Sequence, residues 1–357
     1  MKSLHVMDAG FMLKREIADY QSLRIKRSFR GVGEFELHLP VKYADVIQRD
    51  DIIFPPEAPG KAMIVEGIRI TTDSVTLAGY TLKGMLRRRV CVPGAASEGT
   101  YGYDRIIGSA ETVLKHYVKA NCTEPESAAR VIRCLAVEPD EGRGKENVPW
   151  SARFENLADV LESICTFADC GYAVIPDFAQ KKAVFKYASG RDLVNGKNRV
   201  TFSVGFGNVS EATYTEDAKN ATTAVYIGGA GQDENRAILG VGEAEDLARR
   251  EMWAEAGSIS EPQELEYKAR HKMADKQIMQ TISADVIAQG AARYGEDWEL
   301  GDLVTVSAAG RKMHARITQV QETHEAGRPL TLSVTFGEPP QGIIDAVRAA
   351  TKKEGIR

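Results

Sequence analysis

The chain lacks the residue groupings on which most recognisable chemistry is built. Its six histidines (His5, His38, His116, His271, His314 and His324) contain no HxH or HExxH pair and share no cluster with cysteine, so the spacing offers no zinc site. The five cysteines, Cys91, Cys122, Cys134, Cys165 and Cys170, are odd in number, scattered, and include no CxxC. They read as reduced packing residues of a protein made in a cytosol, not as a disulfide framework. No apolar run approaches the ~20 residues of a membrane helix. The opening MKSLHVMDAG has no charged start followed by an apolar core, so no secretory signal is expected. No GxSxG elbow, GxGxxG turn or GxxxxGK[ST] phosphate loop occurs. A net charge of −4 over 357 residues leaves no electrostatic footprint for nucleic acid. Catalytic, cofactor-binding and metal-ligating residues are therefore all expected to be none, with no nucleic-acid-specific binding and no stable membrane insertion.

What is present is β pattern. With 43% hydrophobic and 27% charged residues the composition is that of a globular protein, and the length suggests two or three domains at ~100–200 residues each. Ser22 to Phe29 and Gly33 to Leu39 alternate apolar and polar residues, as half-buried strands do. Pro40 closes the second run because proline cannot donate to a ladder. From Ser109 the period changes: Val113, Leu114, Tyr117 and Val118 share a helical face, with Ser109 placed to cap it. A polar loop, Glu138 to Pro149, separates it from a second helix. Asn156 caps that helix, Asp159 sits three residues on, and Leu157, Val160, Leu161, Ile164 and Ala168 make its apolar face. Gly171 is placed to end it. Tyr172 to Ile175 and Ala183 to Tyr187 then read as a hairpin. Strands return at Val200 to Val204, Glu211 to Thr215 and Ala224 to Gly228. Helices are predicted over Glu243 to Ala256 and Glu261 to Gln280, and Ser283 to Gln289 leads back into strand. The tail, Gly342 to Lys353, suits a short helix with little to bury.

One stretch echoes another. Aligned on their aspartates, Asp51-Ile52-Ile53 stands opposite Asp302-Leu303-Val304, and thirteen residues after each aspartate Ile64 to Ile70 stands opposite Ala315 to Gln321. A third β-rich run follows in both, Val75 to Gly79 and Leu330 to Val334. Each copy predicts a three-strand meander. A duplication of this kind points to a symmetric assembly in preference to a catalytic cleft.

The remaining candidates each have a plain structural reading. Asp297 and Asp302 flank Trp298, which mimics a glycosidase-like acid pair beside a sugar-stacking aromatic; acidic turn residues around a core tryptophan is the simpler account. Gly205-Phe206-Gly207 and Gly228-Gly229-Ala230-Gly231 read as turn glycines. Gly240-Val241-Gly242 opens the predicted helix at Glu243, whose Glu243 and Glu245 complement a helix dipole in place of an anion. Arg87-Arg88-Arg89 follows the helical-looking Leu82 to Leu86 and suits a solvated face or an intersubunit ion cluster.

Three segments together resemble a known family. The opening MDAGFMLKREIADYQSLRIKRSFRGVGEFELHLP, the stretch Ala78-Gly79-Tyr80-Thr81-Leu82-Lys83-Gly84-Met85-Leu86-Arg87-Arg88-Arg89-Val90, and the closing Tyr294 to Val306 resemble siphovirus ReqiPepy-type tail proteins of phages and prophages. The resemblance runs from about Leu4 to Gly337. It implies a structural protein of the virion, made in the bacterial cytoplasm: a tail-tip or baseplate hub, usually a homotrimer, joining the six-fold tail tube to a three-fold spike or fibre. Its partners would be a tail tube or distal tail protein, a spike or fibre protein and other baseplate proteins, and any cell-wall cleavage would belong to a partner. The fold expected is β-dominated α+β, with two related tail-tube-like β-barrel domains (residues 1–104 and 199–340) flanking a small α+β domain (105–198), then a C-terminal tail (341–357). Two other readings stay open from the sequence. One is a tail enzyme degrading peptidoglycan or polysaccharide; the other is a receptor- or carbohydrate-binding tail module.

Overall fold

A computed structural model describes residues 3–94, 102–195, 197–257, 259–274, 276–288, 290, 292–308 and 310–338. Backbone contacts divide the chain into a larger unit, reaching Ala212 and resuming from Ser283 to Phe336, and a smaller one that includes Thr213–Ile282. The predicted helix in the C-terminal tail lies outside the described residues.

The larger unit opens with seven strands: β1 (Leu4–Met7), β2 (Leu13–Ile17), β3 (Ser22–Ser28), β4 (Glu34–Pro40), β5 (Ile52–Phe54), β6 (Met63–Ile70) and β7 (Ser74–Thr81). They pair in the order β3-β4-β7-β6-β5-β1-β2. Alternation decides the buried face: Leu23 and Ile25, Phe35, Leu37 and Leu39, Val75 and Leu77, Met63 and Val65 all point into one core with Leu4 and Val6. Between Val65 and Gly67 the β6–β7 register shifts by a bulge. There the strands approach so closely that a Cβ on Gly79 would lie 2.1 Å from the Ile64 carbonyl oxygen, which only glycine avoids.

A 3₁₀ helix, Leu82–Arg88, leads on to β8 (Asp104–Gly108), α1 (Ala110–Val118), β9 (Leu135–Val137), β10 (Val148–Ala152), α2 (Leu157–Ala168), β11 (Gly171–Asp177) and β12 (Lys182–Ala188). Ser109 accepts from Thr112 N and Asn156 from Ala158 N, so both caps stand where the sequence places them. The end of α2 differs. Asp169, with φ 49°, takes the left-handed position, while Gly171 is already the first residue of β11. Asp169 tolerates that conformation because Arg30 and Arg316 hold its carboxylate, at 2.7 and 2.6 Å. Gly171 is needed for space instead: a Cβ there would meet the Phe29 ring at 2.5 Å. β11 and β12 form the predicted hairpin, and β9 joins β12 in parallel. Val113, Leu114 and Tyr117 of α1, and Leu157, Leu161 and Ile164 of α2, share one core with Ile52, Ile64, Leu82 and Leu86. The α+β segment thus packs on the outer face of β5 and β6.

β13 (Thr201–Ser203) and β14 (Val209–Asp217) follow. The smaller unit contains β15 (Ala224–Gly228), β16 (Ile238–Val241), β17 (Glu251–Glu255) and α3 (Pro262–Ala274). Two expectations fail here. Gly240 and Val241 end a strand and open no helix, and the helix predicted over Glu243 to Ala256 is a 3₁₀ turn, Asp246–Ala248, followed by β17. The segment is rich in helix-forming Ala, Glu, Arg and Leu. A parallel ladder to β15 outweighs that propensity and turns Ala254 into a core with Val225, Ile227, Leu265 and Ala269. The second predicted helix is α3, which ends at Ala274 short of Gln280.

β18 (Met279–Val286) brings the chain back, and β19 (Leu303–Ala308), β20 (Arg311–Glu325) and β21 (Thr331–Gly337) complete it. The long sheet runs β14-β18-β21-β20-β3-β4-β7-β6-β5-β1-β2, with β19 beside β20 and β13 beside β19. Fully buried Trp298 sits edge-on to Phe202 at 5.1 Å, and Phe202 meets Phe336 at 4.9 Å, in the core under these last strands. The fold is β-dominated α+β. Among the described residues no pairing closes either strand set into a barrel, because β20 occupies the β3 edge that closure of the first set would need.

Candidate assembly site: two matched turns and the seam between them

The two meanders of the sequence are the same device built twice. Before β5, Asp50 adopts φ 71°; before β19, Gly301 adopts φ 94°. Asp50 N donates to Val65 O and Gly301 N to Ile317 O, at 2.9 and 2.8 Å. Val65 N returns to Asp51 O and Ile317 N to Asp302 O, at 3.0 and 2.8 Å. Each aspartate then folds its carboxylate back: Gln48 N donates to Asp51 Oδ2 and Glu299 N to Asp302 Oδ2, both at 2.8 Å. Both side chains are buried, and each receives a cation from a distant segment. Lys14 reaches Asp51 at 2.6 Å, and Arg191 reaches Asp302 at 2.6 Å. Burying a carboxylate is tolerable only with such partners.

Register corrects the sequence alignment by one residue. Ile52 stands opposite Ile64 and Leu303 opposite Arg316, so the matched positions lie thirteen residues after Asp51 but fourteen after Asp302. A slip of one position exchanges the faces of a strand, which is why the pairing and not the spacing decides. The bulges confirm it: Val65/Gly67 in β6 matches Ile317/Gln319 in β20.

The copies meet where β20 pairs antiparallel with β3, from Gln319 against Ser28 to Glu325 against Ser22. On this seam Glu322 is 1% exposed. Lys61 Nζ donates to its Oε2 at 2.7 Å and the Tyr294 hydroxyl to its Oε1 at 2.6 Å, with Arg27 Nε 3.5 Å from Oε1. Arg27 also donates to Tyr294 Oη and, at 2.7 Å, to Glu299. Burial alone would raise the Glu322 carboxyl, but the His324 contact and the Lys61 and Arg27 charges hold it well below the usual range. Nearby, burial pulls the Lys83 amine down to about 7, while Ser28 O, Phe29 O and Gly31 O accept from it at 2.8, 2.9 and 3.2 Å. Apart from Arg27 Nε, which is buried without a hydrogen-bond partner, these groups satisfy one another. The chemistry of the arrangement is that of a structural clamp across the seam.

The groups singled out in the sequence do not converge. Trp298 is core, donating to Ala292 O; Asp302 is the turn aspartate, and Asp297 accepts from Arg293 N. Arg88 pairs with Asp50 and Glu66, Arg89 donates to Arg130 O, and Arg87 lies over the Tyr80 ring at 4.9 Å. Gly207 ends a 3₁₀ turn in the left-handed conformation. All five cysteines are free, and among the described residues no three His, Cys, Asp or Glu side chains are grouped so as to hold a metal ion. The Glu322 cluster escaped sequence reading, although one sign was available: Glu322 falls at the buried parity of β20, in step with Thr318 and Val320.

The relation to known proteins follows the same strand plan. A sequence profile described as siphovirus ReqiPepy6 Gp37-like protein matches residues 3–338. The chain belongs to this family. Among curated proteins none matches it in sequence. Solved structures share the fold of this family member at low identity. A prophage tail protein from Listeria monocytogenes is 14% identical, with TM-score 0.57 over 98% of this chain and 99% of that one. A 43 kDa tail protein of a Shewanella oneidensis prophage is 11% identical, with TM-score 0.59 over 94% and 98%. A tail protein from Neisseria meningitidis is 14% identical, with TM-score 0.55 over 95% and 97%.

Proposed function

We propose that this family member is the hub of a phage or prophage tail tip or baseplate, joining a six-fold tail tube to a three-fold spike or fibre as a homotrimer. The observation that carries the reading is the internal repeat: one chain holds two strand sets with matched turns, matched bulges and a common seam. Three such chains present six near-equivalent surfaces to a tube and three to a spike, which reconciles the two symmetries without a second gene product. The fold shared with three tail proteins supports a place in the virion tail. On this reading each strand set is one tail-tube-like barrel wall (residues 1–104 and 199–340) that the ring completes, and the α+β segment 105–198 stands as a domain carried on the first. The partners are a tail tube or distal tail protein above, a spike or fibre protein below, and other baseplate proteins around the ring.

Cryo-electron microscopy of the intact particle tests this. Three copies in one ring at the tube end are expected. Six copies per ring, or a position along outer fibres, would overturn the hub assignment.

A further inference from the structure

The three-stranded sheet of the smaller unit, ordered β16-β15-β17, buries one face and exposes the other. Val225, Ile227, Leu239 and Ala254 turn inward onto Leu265 and Ala269 of α3. On the opposite face Gly240, Tyr226 and Trp253 stand side by side in one row across the strands, and Ile238, Gly228 and Glu255 in the next. Two glycines decide how the aromatic rings lie. A Cβ on Gly240 would stand 3.2 Å from the Tyr226 ring, and one on Gly228 would stand 2.5 Å from the Trp253 ring. Each ring therefore folds down over a strand position that has no side chain.

Both rings are held by their polar ends. Trp253 Nε1 donates to Glu255 Oε1 at 2.7 Å, and Arg249 Nη2 donates to the Tyr226 hydroxyl at 3.3 Å. Arg236 pairs with Glu255, and Arg249 pairs with Glu251 at 2.6 Å. The two guanidinium carbons lie 5.3 Å from the Trp253 centroid and 5.9 Å from the Tyr226 centroid. Even so, Trp253 remains 47% exposed and Tyr226 40%, with Ile238 57% exposed beside them. Trp298, by contrast, is fully buried. An indole and a phenol pinned at the surface by hydrogen bonds form a rigid face that a ligand need not order, so little conformational entropy opposes binding there.

The chemistry of this face selects its ligand. Aromatic faces are electron-rich and attract the polarised C–H groups on the flat side of a sugar ring. Arginine and glutamate at the ring edges supply donors and acceptors for hydroxyls. Because each of these charges already has a partner, the ligand need bring none. From Thr213 to Ile282 thirteen acidic residues stand against eight basic ones, which opposes nucleic acid and anionic polymers. We propose that this face is a binding platform for a neutral saccharide, which stacks on Trp253 and Tyr226 and is held through its hydroxyls by Glu255, Arg236 and Arg249. The platform lies wholly within the smaller unit and stands independently of the hub reading.

The test is binding of the full chain to an array of neutral oligosaccharides built from hexoses and N-acetylhexosamines, followed by calorimetric titration with the tightest of them. Binding is expected, and Trp253→Ala and Glu255→Gln should each weaken it by about tenfold or more. Trp253→Phe, which keeps a stacking face, should retain more of it than Trp253→Ala. Circular dichroism melts establish that the variants fold. Absence of binding to every neutral glycan, or binding that both Trp253→Ala and Glu255→Gln leave unchanged, would overturn the proposal. Preference for a single-stranded oligonucleotide over all the glycans would do the same. If no glycan binds and Trp253→Ala instead keeps the chain out of assembled particles, the face is a protein interface and the saccharide assignment falls.

Discussion

Glu322 shows how a single residue holds the two halves of the larger unit together. It is an acid at a position where strand parity calls for an apolar side chain, and it is kept ionised by Lys61, Arg27 and Tyr294. Because its folded pKa lies below its unfolded value of ~4.3, its contribution to stability is fully present above that pH and is lost as pH falls through and below it. Glu322→Gln leaves Arg27 and Lys61 without their buried counter-charge and is expected to cost ~3–5 kcal/mol near neutral pH. The gap between wild type and variant should narrow below about pH 4. Urea unfolding at pH 7 and at successively lower pH measures both effects, and parallel acid limbs would refute the assignment. The partners of Glu322 could not be read from sequence: Lys61 and Arg27 come from segments hundreds of positions away.

Secondary elements were legible where their determinants are local. The α2 helix begins at Asn156 because a side-chain oxygen there reaches a backbone N–H two residues on, and its apolar face follows from the 3.6-residue period. Leu161 is fully buried in the core that α1, α2 and β11 share with the first strand set. Leu161→Ala should therefore destabilise the protein by ~2–5 kcal/mol through lost burial and a residual cavity. Equilibrium denaturation monitored by circular dichroism gives that number, and a loss under ~1 kcal/mol would mean that the site collapses or is not core. Elements were misread where propensity and pairing disagree. Glu251 to Glu255 has the composition of a helix and the burial alternation of a strand, and its ladder to β15 decides between them. The end of α2 was misplaced for a related reason: Asp169 adopts the left-handed cap because two arginines from other elements hold its carboxylate.

At the scale of the whole molecule, polar groups are spent on joining strand sets. Asp51 and Asp302 fix the turns, the Glu322 cluster fixes the seam, and Lys83 ties the 3₁₀ helix Leu82–Arg88 to the end of β3. Every carboxylate singled out in the sequence as a catalytic candidate is bound by backbone N–H groups or arginine. The purified chain is accordingly expected to leave peptidoglycan and other cell-wall polysaccharides intact. Zymography checks this, and a cleared band abolished by one acidic substitution would reverse the conclusion. Membership of the siphovirus ReqiPepy6 Gp37-like family agrees with a scaffold.

The sequence by itself determined the strand alternation, the two capped helices, the repeated aspartate before β5 and β19, and the family. Each of these is written within a few neighbouring residues or in their order along the chain. The tertiary structure decided what depends on distant partners: that the second copy is offset by one residue more than the first, that β17 is a strand, and that β20 lies against β3. Strand pairing is a long-range choice in which a single-residue slip exchanges buried and exposed faces. The hydrogen-bond ladder therefore fixes what spacing along the chain leaves open.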